Sequence, residues 1–145
     1  MFNSRPICPL SNNPDNLKVL TLGQFLIGTS LLALPDHNLV NLASNRLSQW
    51  LHVQQMFQQS WKCWSHDYLH QLQQRTKWKD IQPNVIIGDL VLVKEDSLPP
   101  LVWKKAVISD IHAGRDGLTR VVTLRTAKGT FKRAVTKICL LPKVG

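Results

Sequence analysis

Apolar residues between positions 45 and 78 recur at steps of three and four, which is the spacing of one face of an α-helix. This stretch contains no Gly or Pro, and Ser44 or Asn45 is suited to be its N-cap. The pattern predicts one amphipathic helix over residues 44–78, about 45–50 Å long and too long for a small domain to cover alone. Its apolar stripe contains Leu47, Trp50, Leu51, Phe57, Trp61, Trp64, Tyr68 and Leu72.

The opposite face of this helix is polar and rich in glutamine. We therefore expect it to be the solvent side; it carries Gln55, Gln58, Gln59, Lys62, His66, Gln73 and Lys77. The aromatic residues of the apolar stripe are suited to stack on unpaired bases. Their helical spacing, however, favours a protein core or a protein interface. This candidate interaction helix comprises Trp50, Phe57, Trp61, Trp64 and Tyr68.

After residue 84 the pattern changes from helical spacing to alternation, which is typical of strands. Short strands are predicted at 89–94, 104–112, 119–126, 130–134 and 138–141, with a turn-rich loop at 113–117. Five short antiparallel strands in so little chain fit a small SH3-like β-barrel better than a sandwich. Trp103 and Phe131 could also belong to a methyl-lysine cage, although two aromatics without a third are typical of a core.

The first 43 residues lack helical periodicity. Pro6, Pro9 and Pro14 exclude a long helix there, so we expect an extended, partly disordered segment. The predicted fold class is α+β: an extended N-terminal segment, a long amphipathic helix and a small SH3-like antiparallel β-barrel. The corresponding domain boundaries are 1–43, 44–78 and 79–145.

The net charge of the chain indicates a class of function. The chain has 18 Lys and Arg against 9 Asp and Glu, a net charge of +9, which points to a polyanionic partner such as nucleic acid. Strand alternation places Arg120 and Arg125 on opposite sides of their strand. The alternative to nucleic-acid binding is that these Lys and Arg residues form only a solvated, charged barrel exterior. The candidate phosphate contacts are Lys104, Lys105, Arg115, Arg120, Arg125, Lys128, Lys132, Arg133 and Lys137.

Several other classes of function find no support in the chain. No apolar stretch approaches the ~20 residues of a membrane span, and the N-terminus lacks the apolar region of a signal peptide. The three cysteines are far apart, and His66 and His70 have no evident third metal ligand. We therefore expect an intracellular protein, nuclear or cytoplasmic, with no metal, no cofactor and no membrane partner.

Two motifs in the first thirty residues carry a family resemblance. The run Asn3-Ser4-Arg5-Pro6 and the run from Leu20 to Gly28 resemble the end of the integrase core in Pao-type (BEL/Pao) LTR retrotransposon polyproteins. Leu22 stands where that family has Pro, and Gln24 where it has His. Further matches at 61–69, 88–93 and 114–117 resemble the uncharacterised domain that follows the core in those polyproteins.

The resemblance implies a role within DNA integration but not its catalysis. Such integrases use a ribonuclease-H-like core in which two Asp and one Glu hold divalent metal ions. The family's third carboxylate precedes the motif that starts here at Asn3, so we expect this chain not to be an enzyme. The implied function is a C-terminal module that binds the DNA backbone, or RNA, with little sequence preference. Within an integrase, helix 45–78 would self-associate or contact the integrase core. The alternatives are a protein-interaction module for a host or element protein, with the helix stripe as its active surface, and a decayed retroelement fragment without a selected function.

Overall fold

The fold combines one long helix, a five-stranded antiparallel sheet and a separate two-stranded pair, so the predicted α+β class is confirmed. A computed structural model describes residues 2–11, 17–31, 36–73, 85–96 and 98–142. In chain order its elements are β1 (Pro6–Pro9), β2 (Val19–Thr21), α1 (Leu22–Ile27), α2 (Gln49–Leu72), β3 (Leu90–Val93), β4 (Lys105–Ala113), β5 (Thr119–Thr126), β6 (Gly129–Ala134) and β7 (Ile138–Leu140). Short 3₁₀ turns occur at Phe2–Ser4, Ser44–Arg46 and Val135–Lys137.

The large sheet has the strand order β6-β5-β4-β3-β7, and every neighbouring pair is antiparallel. All five predicted strands are confirmed to within a few residues. Gly117, at φ 75°, supplies the left-handed residue of the turn between β4 and β5. Within the described residues β6 pairs only with β5 and β7 only with β3, so closure of the predicted barrel is not observed there.

Each face of the sheet buries its own apolar cluster. The inner face is defined here by Val91, Ala106, Ile108, Val122 and Leu124, which pack together with residues of the sheet and its loops. The outer face is its opposite, and there α2 and β2 cover β3, β7 and the start of β4. The contacts on the outer face involve Leu90, Leu92, Val107, Cys139, Leu69 of α2 and Val19 of β2.

Helix α2 begins later than its sequence suggests. Ser48 is its N-cap, and its hydroxyl accepts a hydrogen bond from the Leu51 N–H at 3.4 Å. The predicted caps Ser44 and Asn45 are wrong, because they lie in a separate 3₁₀ turn that ends before the helix. The helix ends at Leu72, where the extended backbone of Gln73 stops it. Residues 74–78 of the predicted helix lie outside the described residues.

The polar face of α2 is not uniformly exposed. Gln55 and Gln58, which we expected on the solvent side, are buried. The Gln58 carboxamide accepts from the Leu39 N–H and donates to the His37 carbonyl, both at 2.8 Å. The Gln55 amide donates to the carbonyls of Leu39 at 2.8 Å and Leu42 at 2.6 Å. These bonds hold the irregular segment 36–42, named the strap here, along the helix.

The described residues of the N-terminal region include regular elements, whereas the sequence predicts an extended segment there. Strands β1 and β2 pair antiparallel, and the six-residue helix α1 follows β2 directly. The Gln24 side chain accepts from the Thr21 N–H at 3.1 Å, which stabilises the first turn of α1, and Gly28 ends the helix at φ 71°. No helix within the described residues is both long enough and apolar enough to cross a membrane.

Candidate nucleic-acid interface

Three of the predicted phosphate contacts share the outer face of the sheet. The register pairs Lys105 with Leu92 of β3 and Arg125 with Val107 of β4, and both partners belong to the outer cluster. Lys132 is paired with Thr123, which alternates with the inner-face residues Val122 and Leu124. Arg125 and Lys132 are exposed, whereas Lys105 is half-buried beside the outer cluster. Lys105, Arg125 and Lys132 are named the basic face here.

The turn between β5 and β6 extends the basic face at one end. Lys128 lies in this turn and is exposed, with its N–H bonded to the Thr126 hydroxyl at 3.4 Å. Lys105 is half-buried, and this burial lowers the pKa of its ammonium group. A nearby phosphate would oppose that shift, because an anion stabilises the charged form. Asp110 and His112 lie on the same face, where their side chains approach to 4.0 Å.

Two other predicted contacts, Lys104 and Arg133, lie at the inner side of the sheet instead. The Lys104 ammonium forms an ion pair with Glu95 and sits 4.9 Å from the centroid of the Phe131 ring. The Arg133 guanidinium lies 5.3 Å from the same ring. Phe131 is thus a platform for two cations rather than part of a cage with Trp103. Lys104 already has a carboxylate partner, which makes it a weaker candidate for phosphate binding.

The remaining predicted contacts are dispersed. Arg120 forms an ion pair with Asp116 across the loop between β4 and β5, where the exposed Arg115 also lies. Arg120 and Arg125 fall on opposite sides of β5, as strand alternation predicted. Lys137 belongs to the 3₁₀ turn before β7. The nine cations therefore form no single patch.

The aromatic stripe of α2 divides into a buried half and an exposed half. Trp61 is buried, Trp64 and Tyr68 are half-buried, and all three contact the Trp103 ring at centroid distances of 5.2, 5.9 and 5.5 Å. Trp50 and Phe57, on the N-terminal half of the helix, are 67% and 40% exposed. The prediction that only part of the helix would be covered is confirmed.

The aromatic cluster also joins the N-terminal region to the helix. Phe2 packs edge-on against Trp64 at 5.2 Å, and the Tyr68 hydroxyl donates to the Pro6 carbonyl at 2.6 Å. Burial raises the pKa of Tyr68, and the charge of Arg5 partly offsets this. The sequence pattern identified Trp61, Trp64 and Tyr68 but gave no sign of their joint contact with Trp103.

The described part of the chain offers few side chains that are placed for metal binding or for nucleophilic chemistry. It holds no group of three or more His, Cys, Asp or Glu residues placed to bind a metal ion. The rings of His66 and His70 stack at 6.5 Å on one side of α2. Cys139 is buried and donates to the Leu69 carbonyl at 3.2 Å, and burial raises the pKa of its thiol to about 11. At neutral pH this cysteine is therefore a protonated core residue.

Comparison with models of protein families gives a match. A protein-family model, described as a family of unknown function (DUF5641), matches residues 48–141, which is more than half of the chain. The matched range contains α2 and all five strands of the large sheet. No curated protein and no solved structure matches the chain.

Proposed function

The chain belongs to the DUF5641 family, and we propose that it is a non-catalytic nucleic-acid-binding module, the C-terminal module of a Pao-type retrotransposon integrase. The observation that carries the proposal is the basic face. Lys105, Arg125 and Lys132 share one side of the sheet, with Lys128 in the adjoining turn. A chain of net charge +9 adds a long-range attraction for polyanions.

Binding of this kind acts through backbone phosphates. Lysine and arginine side chains that approach phosphates release condensed counterions, which gives affinity that falls with salt and depends little on sequence. The basic face lies on strands and a tight turn, and no helix on this side of β5 and β6 is available to enter a groove among the described residues. We therefore assign it phosphate contacts rather than base recognition.

The strand connectivity supports the SH3-like part of the proposal. Strands β3 to β6 follow one another as a meander, and β7 returns to pair with β3 at the far side. A single 3₁₀ turn, Val135–Lys137, leads into this last strand. An SH3-like barrel needs this order together with an approach of β6 to β7, and we propose that the sheet is of this type. The resemblance to integrase polyproteins predicts the same fold.

A second candidate function is protein interaction through the exposed half of α2. Trp50, Val53 and Phe57 recur at steps of three and four on this half, and each is at least 40% exposed. Exposed apolar stripes of this type are typical of interfaces. In a longer integrase product the partner would be the catalytic core or a second copy of the chain.

The experiment for the main proposal is a binding titration of the full chain. Fluorescence anisotropy with a labelled duplex DNA and with a labelled single-stranded RNA would be followed across a salt series. With about four phosphate contacts, duplex affinity should fall about a hundredfold between about 50 and 200 mM salt. Two duplexes of unrelated sequence should bind with similar affinity. Absence of binding at the lowest salt would exclude the proposed function.

A further inference from the structure

A cavity of about 510 Å³ lies between the C-terminal half of α2 and the chain that joins β3 to β4. It is separate from the basic face, since none of Lys105, Arg125, Lys128 and Lys132 lines it. A second cavity of about 270 Å³ shares Lys62, Asp96 and Leu98 with the first and continues to the strap. The two together form one groove that crosses the helix. The volume of the first cavity is typical of ligand sites in proteins.

The wall of the first cavity is aromatic. Trp61 and Trp103 both line it, and their rings meet edge to face at 5.2 Å with an interplanar angle of 68°. Trp61 is held rigidly, since it is only 2% exposed and also contacts Trp64 at 5.5 Å. Indole rings attract cations through their negative faces, and tryptophan does so best among the aromatic residues.

The rim of the groove concentrates the few acidic residues of a basic chain. Of nine Asp and Glu residues in the sequence, four line the two cavities: Asp36, Asp67, Glu95 and Asp96. Two lysines, Lys62 and Lys94, line them as well. The Lys94 ammonium lies 3.5 Å from the Gln73 side-chain oxygen, and Glu95 is paired with Lys104. The acids therefore outnumber the bases here, whereas cations prevail in the chain as a whole.

We propose that this groove binds a basic peptide segment, with one lysine or arginine side chain seated in the larger cavity. The partly exposed Trp103 ring, backed by the buried Trp61, would receive the alkyl stem and the cationic head, and Asp67 and Asp96 at the rim would pair with its charge. The smaller cavity would hold the adjoining residues of the peptide beside Asp36. Charge complementarity selects this occupant, because a neutral or acidic peptide gains nothing from the carboxylates.

The test uses the full chain and a fluorescein-labelled heptapeptide of glycine and serine with three consecutive basic residues. Versions with three arginines, three lysines and three glutamines are compared by fluorescence anisotropy. The variants Asp67→Asn and Asp96→Asn remove rim charges, and Asp110→Asn removes an exposed carboxylate of the sheet as a matched control. Lys62→Ala removes a competing cation from the groove. Circular dichroism establishes that each variant is folded.

The proposal expects the arginine or lysine peptide to bind and the glutamine peptide not to bind. Each Asp→Asn rim variant should weaken binding about threefold, and the pair about tenfold, while Asp110→Asn changes it less than about twofold. Lys62→Ala should strengthen binding about twofold, a gain that structural damage would not produce. Equal affinity for the glutamine peptide, or equal effects of Asp96→Asn and Asp110→Asn, would overturn the assignment.

Discussion

Arg125 of β5 and Lys132 of β6 are diagonal neighbours on the outer face of the sheet, because Arg125 is paired with Thr130 and Lys132 follows two residues later. Diagonal neighbours of this kind are typically about 7–8 Å apart, close enough for long side chains to contact one anionic strand together. The two basic side chains therefore belong to one continuous surface of the sheet. Lys104 and Arg120 differ from this pair, since each forms an ion pair with a carboxylate.

The strap provides a test of the buried glutamines. Gln58→Ala removes two hydrogen bonds and leaves the Leu39 N–H and the His37 carbonyl without their partner. We expect the free energy of unfolding to fall by about 1–3 kcal/mol in urea denaturation. Gln59→Ala is the matched control on the exposed side of the same helix and should change it by less than about 0.5 kcal/mol. Equal effects of the two substitutions would show that the strap is not held by Gln58.

The division of the aromatic stripe predicts unequal effects of two tryptophan substitutions. Trp61→Ala opens a cavity at the centre of the aromatic cluster and should cost about 3–5 kcal/mol of unfolding free energy. Trp50→Ala, on the exposed half, should cost less than about 1 kcal/mol. If α2 also joins two copies, sedimentation at high concentration will show less association for Trp50→Ala than for the parent. A large loss of stability in Trp50→Ala would mean that this half of α2 is part of the core.

The contact between Tyr68 and Pro6 predicts a link between the helix and the N-terminal strands. Tyr68→Phe removes the hydroxyl that donates to the Pro6 carbonyl while keeping the ring stacked on Trp64. The free energy of unfolding should fall by about 1–2 kcal/mol. Hydrogen exchange of the β1 and β2 amides should become faster, whereas the amides of β5 should be little affected. Unchanged exchange in β1 would argue against this link.

The thiols should differ in reactivity and in their effect on alkaline stability. Cys63 is exposed, whereas Cys139 is buried with a pKa raised to about 11 from 9.0, so a thiol reagent at pH 8 should modify Cys63 first. The folded state holds the Cys139 proton more tightly than the unfolded state does. This stabilisation is complete below pH 9 and is lost as the pH rises towards 11.

The size of this loss of stability at alkaline pH follows from the raised pKa of Cys139. The free energy of unfolding should fall by up to about 2–3 kcal/mol over this range, at about 1.4 kcal/mol per pKa unit. Cys139→Ala should show a smaller decrease over the same range. Urea denaturation of both proteins from pH 8 to 11 measures the difference, and parallel curves would contradict the assignment.

The strands were predictable because alternation and turn-forming glycines give local signals. The five strands of the large sheet follow directly from runs such as 89–94 and 119–126. Helix α1 has no signal in the sequence because its six residues are too short for a periodic pattern, and the Gln24 side chain, which accepts from the Thr21 N–H, stabilises its first turn. Ser44 and Ser48 are both good N-caps by composition, and only the 3₁₀ turn at 44–46 decides between them.

The candidate site was predictable in composition but not in arrangement. The register shift between Ile108 and Asp110 sets which residues of β4 and β5 oppose each other, and this irregularity has no signal in the sequence. The buried role of Gln55 and Gln58 depends on the strap, whose hydrogen-bonding residues lie thirteen or more positions earlier in the chain. A polar residue on a helix is solvated by default, so local reasoning assigns both glutamines to solvent.

The most direct test of the account compares two charge reversals of equal size in DNA binding. Arg125→Glu with Lys132→Glu changes the basic face, and Arg115→Glu with Lys137→Glu makes the same charge change at dispersed exposed sites. The first pair should weaken duplex binding at least about tenfold and reduce the salt slope by about 2, whereas the second should weaken it less than about threefold. Equal losses in the two double variants would show that only net charge attracts nucleic acid, and the basic face would then not be the binding site.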